Sequence, residues 1–398
     1  MKKNILILGA ITLFLVASIP IAETKDNQKT KWKGKIQTES GVKIIKNPKE
    51  PLYGEIELEL KEDLSIGSEE DENYMFIRVS DIEVDEMGNI YVLDSKECRI
   101  QKYDKDGNYL QTIGRKGQGP GEFERASRMV LDSKGRIYVN EFRKFHIFDD
   151  NGKFKRSINI GSSISSYGIT KEGYILGQSR TLSEEGRTLD IVVIDSEGKK
   201  LKTIASFPDQ GGFMRKGNIS IGMSSPFDAR LYFCPLSDEL GIYGYSAEYR
   251  LFVINSSGEI TRLIEKDEPH QAVTQKEKRK LIKDRVERQR GSLKLSEGDI
   301  KKLLNIPKYK AFYTQIITDD KGRIYVRKMK PVSSDDKTRS YDLFSREGYY
   351  LHKLKIYDIF PYVIKNGFIY TSKSDPDTGY YKVKRYRIKN WDQIKEGI

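Results

Sequence analysis

The sequence predicts an all-β fold, a six-bladed β-propeller of four-stranded antiparallel blades closed by an N-terminal strand and carrying a small helical insertion. Three observations predict it: a turn phrase that recurs along the chain, β-rich runs between its copies, and a last repeat one strand short that an unpaired strand near the start can complete.

The phrase is DEMGN at 85–89, DKDGN at 104–108, DSKGR at 132–136, DDNGK at 149–153, DSEGK at 195–199, NSSGE at 255–259 and DDKGR at 319–323, with looser copies TKEGY at 170–174 and SREGY at 345–349. Each sets an Asp, Asn, Ser or Thr three positions before Gly. The side-chain oxygen can bond the local backbone and Gly supplies the positive φ of a tight hairpin. The runs between copies, such as NIYVLD at 89–94, RIYVNE at 136–141 and RIYVRK at 323–328, alternate or are rich in β-formers, and 24 Tyr and 16 Phe favour strands further. Two such turns per unit give four strands, a-turn-b-loop-c-turn-d, which is a propeller blade. The units fall at 80–113, 127–158, 167–205, about 230–264, 312–355 and 362–387. The sixth has three strands, and EIELELKEDLSIG at 55–67 can supply the fourth, closing the ring and leaving few open edges.

Units one and two, above all DIEVDEMGNIYVLDSKECRIQKYDKDGNYLQTIG at 81–114, resemble the NHL-repeat type of six-bladed propeller, and GRKGQGPGEF at 114–123 is similar to a linker of bacterial exported propellers of that group. The resemblance implies the fold. It implies no particular activity, because this architecture serves binding modules, hydrolases and lyases alike.

Residues 1–22 place Lys2 and Lys3 before an apolar run from Ile5 to Val16 and small residues around Ala17, Ser18 and Ala22, the layout of a secretory signal; an uncleaved membrane anchor is the alternative. The chain then reads as a basic linker at 23–54, the propeller at 55–390 with its insertion at 265–310, and a tail at 391–398. Cys98 and Cys234 are too few for a disulfide framework and are expected as two separately buried thiols, one long-range bridge being the alternative. The formal charge of +12 favours anionic partners without naming them.

A Gly loop that cradles phosphate needs a helix N-terminus after it, with Lys-Ser/Thr in the nucleotide version. Here EFERASRMVLD leads into another β unit, so the loop is expected as the connection between the first two blades. In a four-stranded meander the a-b and c-d turns share one face. The long connections, 67–79, 114–126, 179–188, 207–229, 265–311 and 328–339, share the other, which is the expected working face. Arg78 and Arg125 each precede a turn Asp by seven residues and so should sit equivalently near the channel entrance, with Arg230 at the start of the inner strand of unit four. Arg78, Arg115, Lys116, Arg125, Arg128 and Arg230 are the candidate ligand-binding residues, able to hold a carboxylate, sulfate or phosphate. The structural alternative for them is pairing with loop acids such as Glu122 and Glu124.

Within the insertion, Thr274 and Glu277 stand at capping-box spacing before Leu281, Ile282 and Val286, and a second helix starts at Ser296 and Asp299. Fourteen Lys/Arg against eight Asp/Glu make it a basic flap expected over the long-loop face. His146, His270 and His352 lie in separate units and should not meet as a zinc site. No catalytic or metal-binding residues are assigned. The leading expectation is an exported, non-catalytic propeller that binds a ligand or protein partner, an anionic glycan or envelope component among them, through the long-loop face. The alternative is a metal-dependent hydrolase or lyase with its site in the central channel. No cofactor is predicted, Ca²⁺ being the one left open, and no nucleic-acid partner. The expected location is periplasmic, cell-surface or secreted, with membrane association only if the N-terminal segment stays uncleaved.

Overall fold

The computed structural model describes residues 31–183, 186–216, 219–288, 295–330 and 337–398, so the signal expected at 1–22 lies outside the described residues. Turn chemistry sets the blades. Asp85 Oδ1 accepts the amides of Met87 (3.0 Å) and Asn89 (2.8 Å), and Asp319 Oδ1 those of Lys321 (3.1 Å) and Arg323 (2.9 Å). Gly88 and Gly322 follow at φ 87° and 73°, where a side chain would be strained. Each phrase thus fixes a hairpin with its own side chain.

Blade one is Val79–Val84, Ile90–Asp94, Arg99–Tyr103 and Tyr109–Ile113; blade two is Arg128–Leu131, Ile137–Glu141, Lys144–Phe148 and Phe154–Asn159. Blade three is Ile164–Ile169, Ile175–Ser183, Gly186–Ile194 and Lys200–Pro208. Blades four and five begin with Leu231–Pro235, Leu240–Tyr245, Arg250–Asn255 and Ile260–Lys266, and with Tyr313–Thr318, Ile324–Lys328, Thr338–Phe344 and Tyr350–Tyr357. Blade six takes Val363–Lys365, Phe368–Ser374 and Tyr381–Ile388 from the end of the chain and Leu60–Ile66 from near its start, as expected. Each inner strand touches the next, and that of blade six touches that of blade one, so the ring closes around a channel. Apolar clusters fill the seams between blades, for example Ile164, Tyr167 and Ile175 of blade three against Phe145 and Ile147 of blade two.

The N-terminal segment departs from the expected linker. Ser40 and Gly41, at φ 49° and 82°, turn a hairpin of Lys35–Glu39 and Val42–Asn47, whose second strand lies parallel to the outer strand of blade four. Glu55–Glu57 then lies parallel to the outer strand of blade five, and only Leu60–Ile66 closes blade six, so the single strand expected at 55–67 is two. Residues 35–66 therefore form a belt across three blades. Asn47, 3% exposed, pins it: Nδ2 donates to the carbonyls of Glu265 (3.1 Å) and Gly348 (2.8 Å), while Oδ1 accepts the Tyr350 amide (2.8 Å).

One further expectation changes. The loop expected at 179–188 is a continuation of the b and c strands of blade three, paired as far as Ser183 and Gly186. The C-terminal tail is anchored: buried Arg323 donates to the Ile394 carbonyl (3.0 Å) and lies 4.1 Å from the Trp391 ring. In the insertion, both capping boxes form, on helices α1 (Gln275–Glu287) and α2 (Glu297–Leu304). Leu281, Ile300 and Leu304 pack with Phe227 and Val273, and α2 touches the hairpin of Gly212–Lys216 and Ile219–Met223. Cys98 and Cys234 are free thiols, the first buried and the second partly so.

Candidate functional site

Inner strands that start at the long-loop end present their first side chains to the channel mouth, and the b-c and d-a connections wall it. Two cavities result. The outer, about 1530 Å³, lies mostly between blade two and blades five and six; the inner, about 530 Å³, runs along the inner strands of blades three to five. Arg128, Ser165, Gln315, Ile317 and Tyr362 line both, so the two are continuous.

Blade two forms the polar wall of the mouth. Glu141, at the end of its b strand, accepts the amides of Glu124 (2.7 Å) and Arg125 (2.8 Å) through Oε1, and Oε2 lies 2.9 Å from His146 Nε2. Burial raises the Glu141 carboxyl, but those amides and His146 outweigh it, and it stays below its ordinary value. The other acids are occupied too. Glu122 holds Arg115 (2.7 Å) and the Gly119 amide (2.9 Å), Glu124 takes Gln118 (3.2 Å), and Asp81 takes the Met129 amide (3.0 Å) with Arg128 at 3.8 Å. By contrast Arg125, Arg143, Lys144 and Lys373 line the same mouth, and among the described residues none has an ion-pair partner.

Deeper in, Arg128 and Asn140 face each other across the a and b strands. Arg128 Nε, whose nearest carboxylate is Asp81 at 3.8 Å, and Asn140 Nδ2 are buried donors without a hydrogen bond among the described residues, and Gln315 Oε1 across the channel is a buried acceptor without one. Unpaired buried polar atoms are costly unless something fills the space between them. Two rings flank the opening: Phe142, 63% exposed with its backbone in the left-handed region at φ 51°, and Phe360, 47% exposed with the Arg339 guanidinium 3.2 Å from its centroid. A bulky residue at such a φ is strained, which fits a ring held outward for contact.

The expected site residues divide. Arg125 and Arg128 are in the mouth and Arg230 in the inner cavity. Arg78 occupies the position equivalent to Arg125, its amide donating to Asp94 Oδ1 (3.1 Å) as that of Arg125 donates to Glu141, but its side chain lines neither cavity. Arg115 is taken by Glu122 and Lys116 is exposed outside both cavities. The Gly loop does connect blades one and two, and the amides of Gly117 and Gly119 are used within the loop, by the Phe123 carbonyl (3.4 Å) and by Glu122, which leaves no phosphate cradle. No residue of α1 or α2 lines either cavity. Asn140, Arg143, Lys144, Gln315 and Lys373 were not legible as a set, because they come from three blades; the cue was EFRK at 141–144, an aromatic and two cations at a b-c turn. Among the described residues no three of His, Cys, Asp and Glu converge on a point, and His146, His270 and His352 lie apart.

Glu83 faces the inner cavity. Burial first and the charge of Asp81 second push its carboxyl from the ordinary 4.5 up to about 8, with Arg128 and Lys365 opposing. The folded chain thus holds this proton more tightly than the unfolded chain, and the associated stability, full below the unfolded value, is lost as pH rises through about 8. Glu83→Gln carries no such loss. Its Tm relative to the parent should climb between about pH 5 and pH 9; a difference that stays flat across that range would show that Glu83 ionises normally.

A family model described as a 6-bladed beta-propeller, DUF5128, matches residues 69–350. The chain belongs to this family. No curated protein matches the DUF5128 chain in sequence. Among solved structures it is similar to a candidate exported protein from Bacteroides fragilis, at 14% identity over 87% of this chain and 99% of that one, with a TM-score of 0.50. It is also similar to a member of the duf4221 family from Bacteroides vulgatus, at 13% identity over 83% of this chain and 98% of that one, with a TM-score of 0.51. At such identities the likeness speaks for the fold alone. The six-bladed architecture of DUF5128 and the closure seen here agree.

Proposed function

We propose that this chain is an exported, non-catalytic propeller that binds an anionic glycan in the outer cavity. The observation that carries the reading is the imbalance of partners at the mouth. Its acids are committed to amides, arginine, histidine or glutamine, whereas Arg125, Arg143, Lys144 and Lys373 have no ion-pair partner among the described residues, Arg143 lying only over the Phe142 ring at 5.3 Å. A ligand bearing carboxylate or sulfate groups supplies what those cations lack. Phe142 and Phe360 give the apolar C–H faces of sugar rings a flat surface, and a volume of about 1530 Å³ exceeds the roughly 300–1,000 Å³ of ordinary small-molecule sites, in keeping with an oligomer. Export is supported by the signal-like segment at 1–22 and by the description of the Bacteroides fragilis neighbour. No helix among the described residues is long and apolar enough to cross a membrane.

The test is calorimetric titration with hyaluronan hexasaccharide, in which charged glucuronate alternates with neutral N-acetylglucosamine. The Arg143→Ala/Lys144→Ala double variant should bind at least about tenfold more weakly, a loss of ~1.4 kcal/mol, and parent affinity should fall as salt is raised. Equal affinity in parent and double variant, or no binding by the parent, removes the reading.

A further inference from the structure

We propose that the inner cavity is an end pocket for the same ligand, taking the uncharged, hydroxyl-rich terminal sugar of a chain whose charged units lie at the mouth; this rests on the glycan reading above. Its volume of about 530 Å³ falls within the roughly 300–1,000 Å³ typical of a site for one small molecule. It opens into the mouth through the shared wall at Arg128, Gln315 and Tyr362.

What the pocket offers is a mixture of unpaired donors and acceptors. Asp228 is 4% exposed; its Oδ2 accepts the Ser225 amide (2.7 Å), and its Oδ1, buried, has no partner among the described residues. Gln315 Oε1 is a second unpaired acceptor and Arg128 Nε an unpaired donor. Charge gives no net pull on an anion here. Arg180 is spent on Asp209 (3.3 Å), Arg128 has Asp81 at 3.8 Å, and Arg230 shares the lining with Asp228, while Glu83, protonated below about pH 8, adds no charge. An inserted anion would meet those acids, and an inserted ammonium group would leave the Arg128 donor unmatched. A hydroxyl both donates and accepts, so a hydroxyl-rich ring suits a lining that mixes unpaired donors and acceptors. Tyr232, Phe233 and Tyr362 supply apolar surface beside them. A terminal sugar fits because a volume of about 530 Å³ suits one small unit and the pocket joins the mouth through their shared wall.

Cys234 lines the pocket and serves as a reporter, since it is partly accessible while Cys98 is buried. The full chain is alkylated with iodoacetamide alone, with hyaluronan hexasaccharide, and with high-molar-mass hyaluronan at equal disaccharide concentration, where chain ends are scarce. The hexasaccharide should slow Cys234 alkylation at least about tenfold and the polymer barely, and Gln315→Ala or Asp228→Ala should each weaken hexasaccharide binding about fivefold, the loss of one hydrogen bond. Gln315→Met keeps the volume without the polar atoms and should behave as Gln315→Ala if folding is intact. Hexasaccharide binding that leaves Cys234 unprotected and is unmoved by the Gln315 variants, yet falls in Arg143→Ala/Lys144→Ala, sinks the end pocket and leaves the mouth standing. Equal protection by polymer and hexasaccharide also sinks it. No binding by the parent removes both readings.

Discussion

Lys266→Ala should destabilise the propeller by ~3–5 kcal/mol, the cost of breaking a buried ion pair by removing one partner. The Lys266 side chain has no exposed surface; its Nζ lies 3.0 Å from Asp342, pairs with Glu268, and sits 5.1 and 4.7 Å from the Tyr249 and Tyr350 ring centroids. Asp342, equally buried, accepts the hydroxyls of both tyrosines at 2.6 Å. Without the ammonium, Asp342 is a buried anion facing two neutral donors, and Glu268 retains only Lys328 (2.9 Å). Because Lys266 ends blade four and Asp342 lies in the c strand of blade five, the damage falls on a blade seam and should spread to the whole ring. At about 2–4 °C per kcal/mol, Tm should drop by about 10 °C. Pairing the change with Asp342→Asn should recover part of the loss, since no lone charge then remains. A single-variant loss under ~1 kcal/mol in chemical denaturation would mean that water reaches and solvates Asp342.

Removing the belt should have the larger effect. A chain beginning at residue 67 lacks Leu60–Ile66, which leaves Tyr381–Ile388 as an open edge and exposes the seam that Ile66 fills at 2% accessibility. Open edges template association, so this truncation should aggregate and show no cooperative melt. A chain beginning at residue 50 keeps the closing strand but loses Ile44, Ile45 and Asn47, all buried. It should stay monomeric and melt lower, each apolar side chain having contributed ~1.5–3 kcal/mol. Gel filtration and circular dichroism decide the matter: a monomeric 67–398 chain with a sharp melt would show that three-stranded blade six is self-sufficient.

These two regions mark where the sequence was and was not readable. The Asp-x-x-Gly phrases and both capping boxes were legible because each is satisfied within five residues, by a side chain bonding its own turn. The closing strand was legible by counting, since blade six was one strand short. The hairpin at 35–47 carried a local cue in Ser40-Gly41, but its pairing with a strand more than two hundred residues away is parallel, and no turn announces a parallel partner. Lys266 reads in sequence as one more surface cation, and only its neighbours from another blade make it a buried one.

The candidate site divides the same way. Sequence alone determined the all-β repeat, the number of blades, the face that carries the long loops, and a surplus of cations near its entrance, because these follow from short-range turn chemistry and composition. Only the tertiary structure decided which cations, among the described residues, are left without an ion-pair partner. Arg115 is neutralised by Glu122 from the same loop, while Arg143 and Lys144 are not, because Glu141 beside them is turned to loop amides and His146. Arg78 and Arg125 hold equivalent backbone positions, yet only Arg125 reaches the cavity. Whether a charge is spent or available depends on which oxygen lies within about 4 Å of it, and in a ring of blades that oxygen is set by packing between repeats.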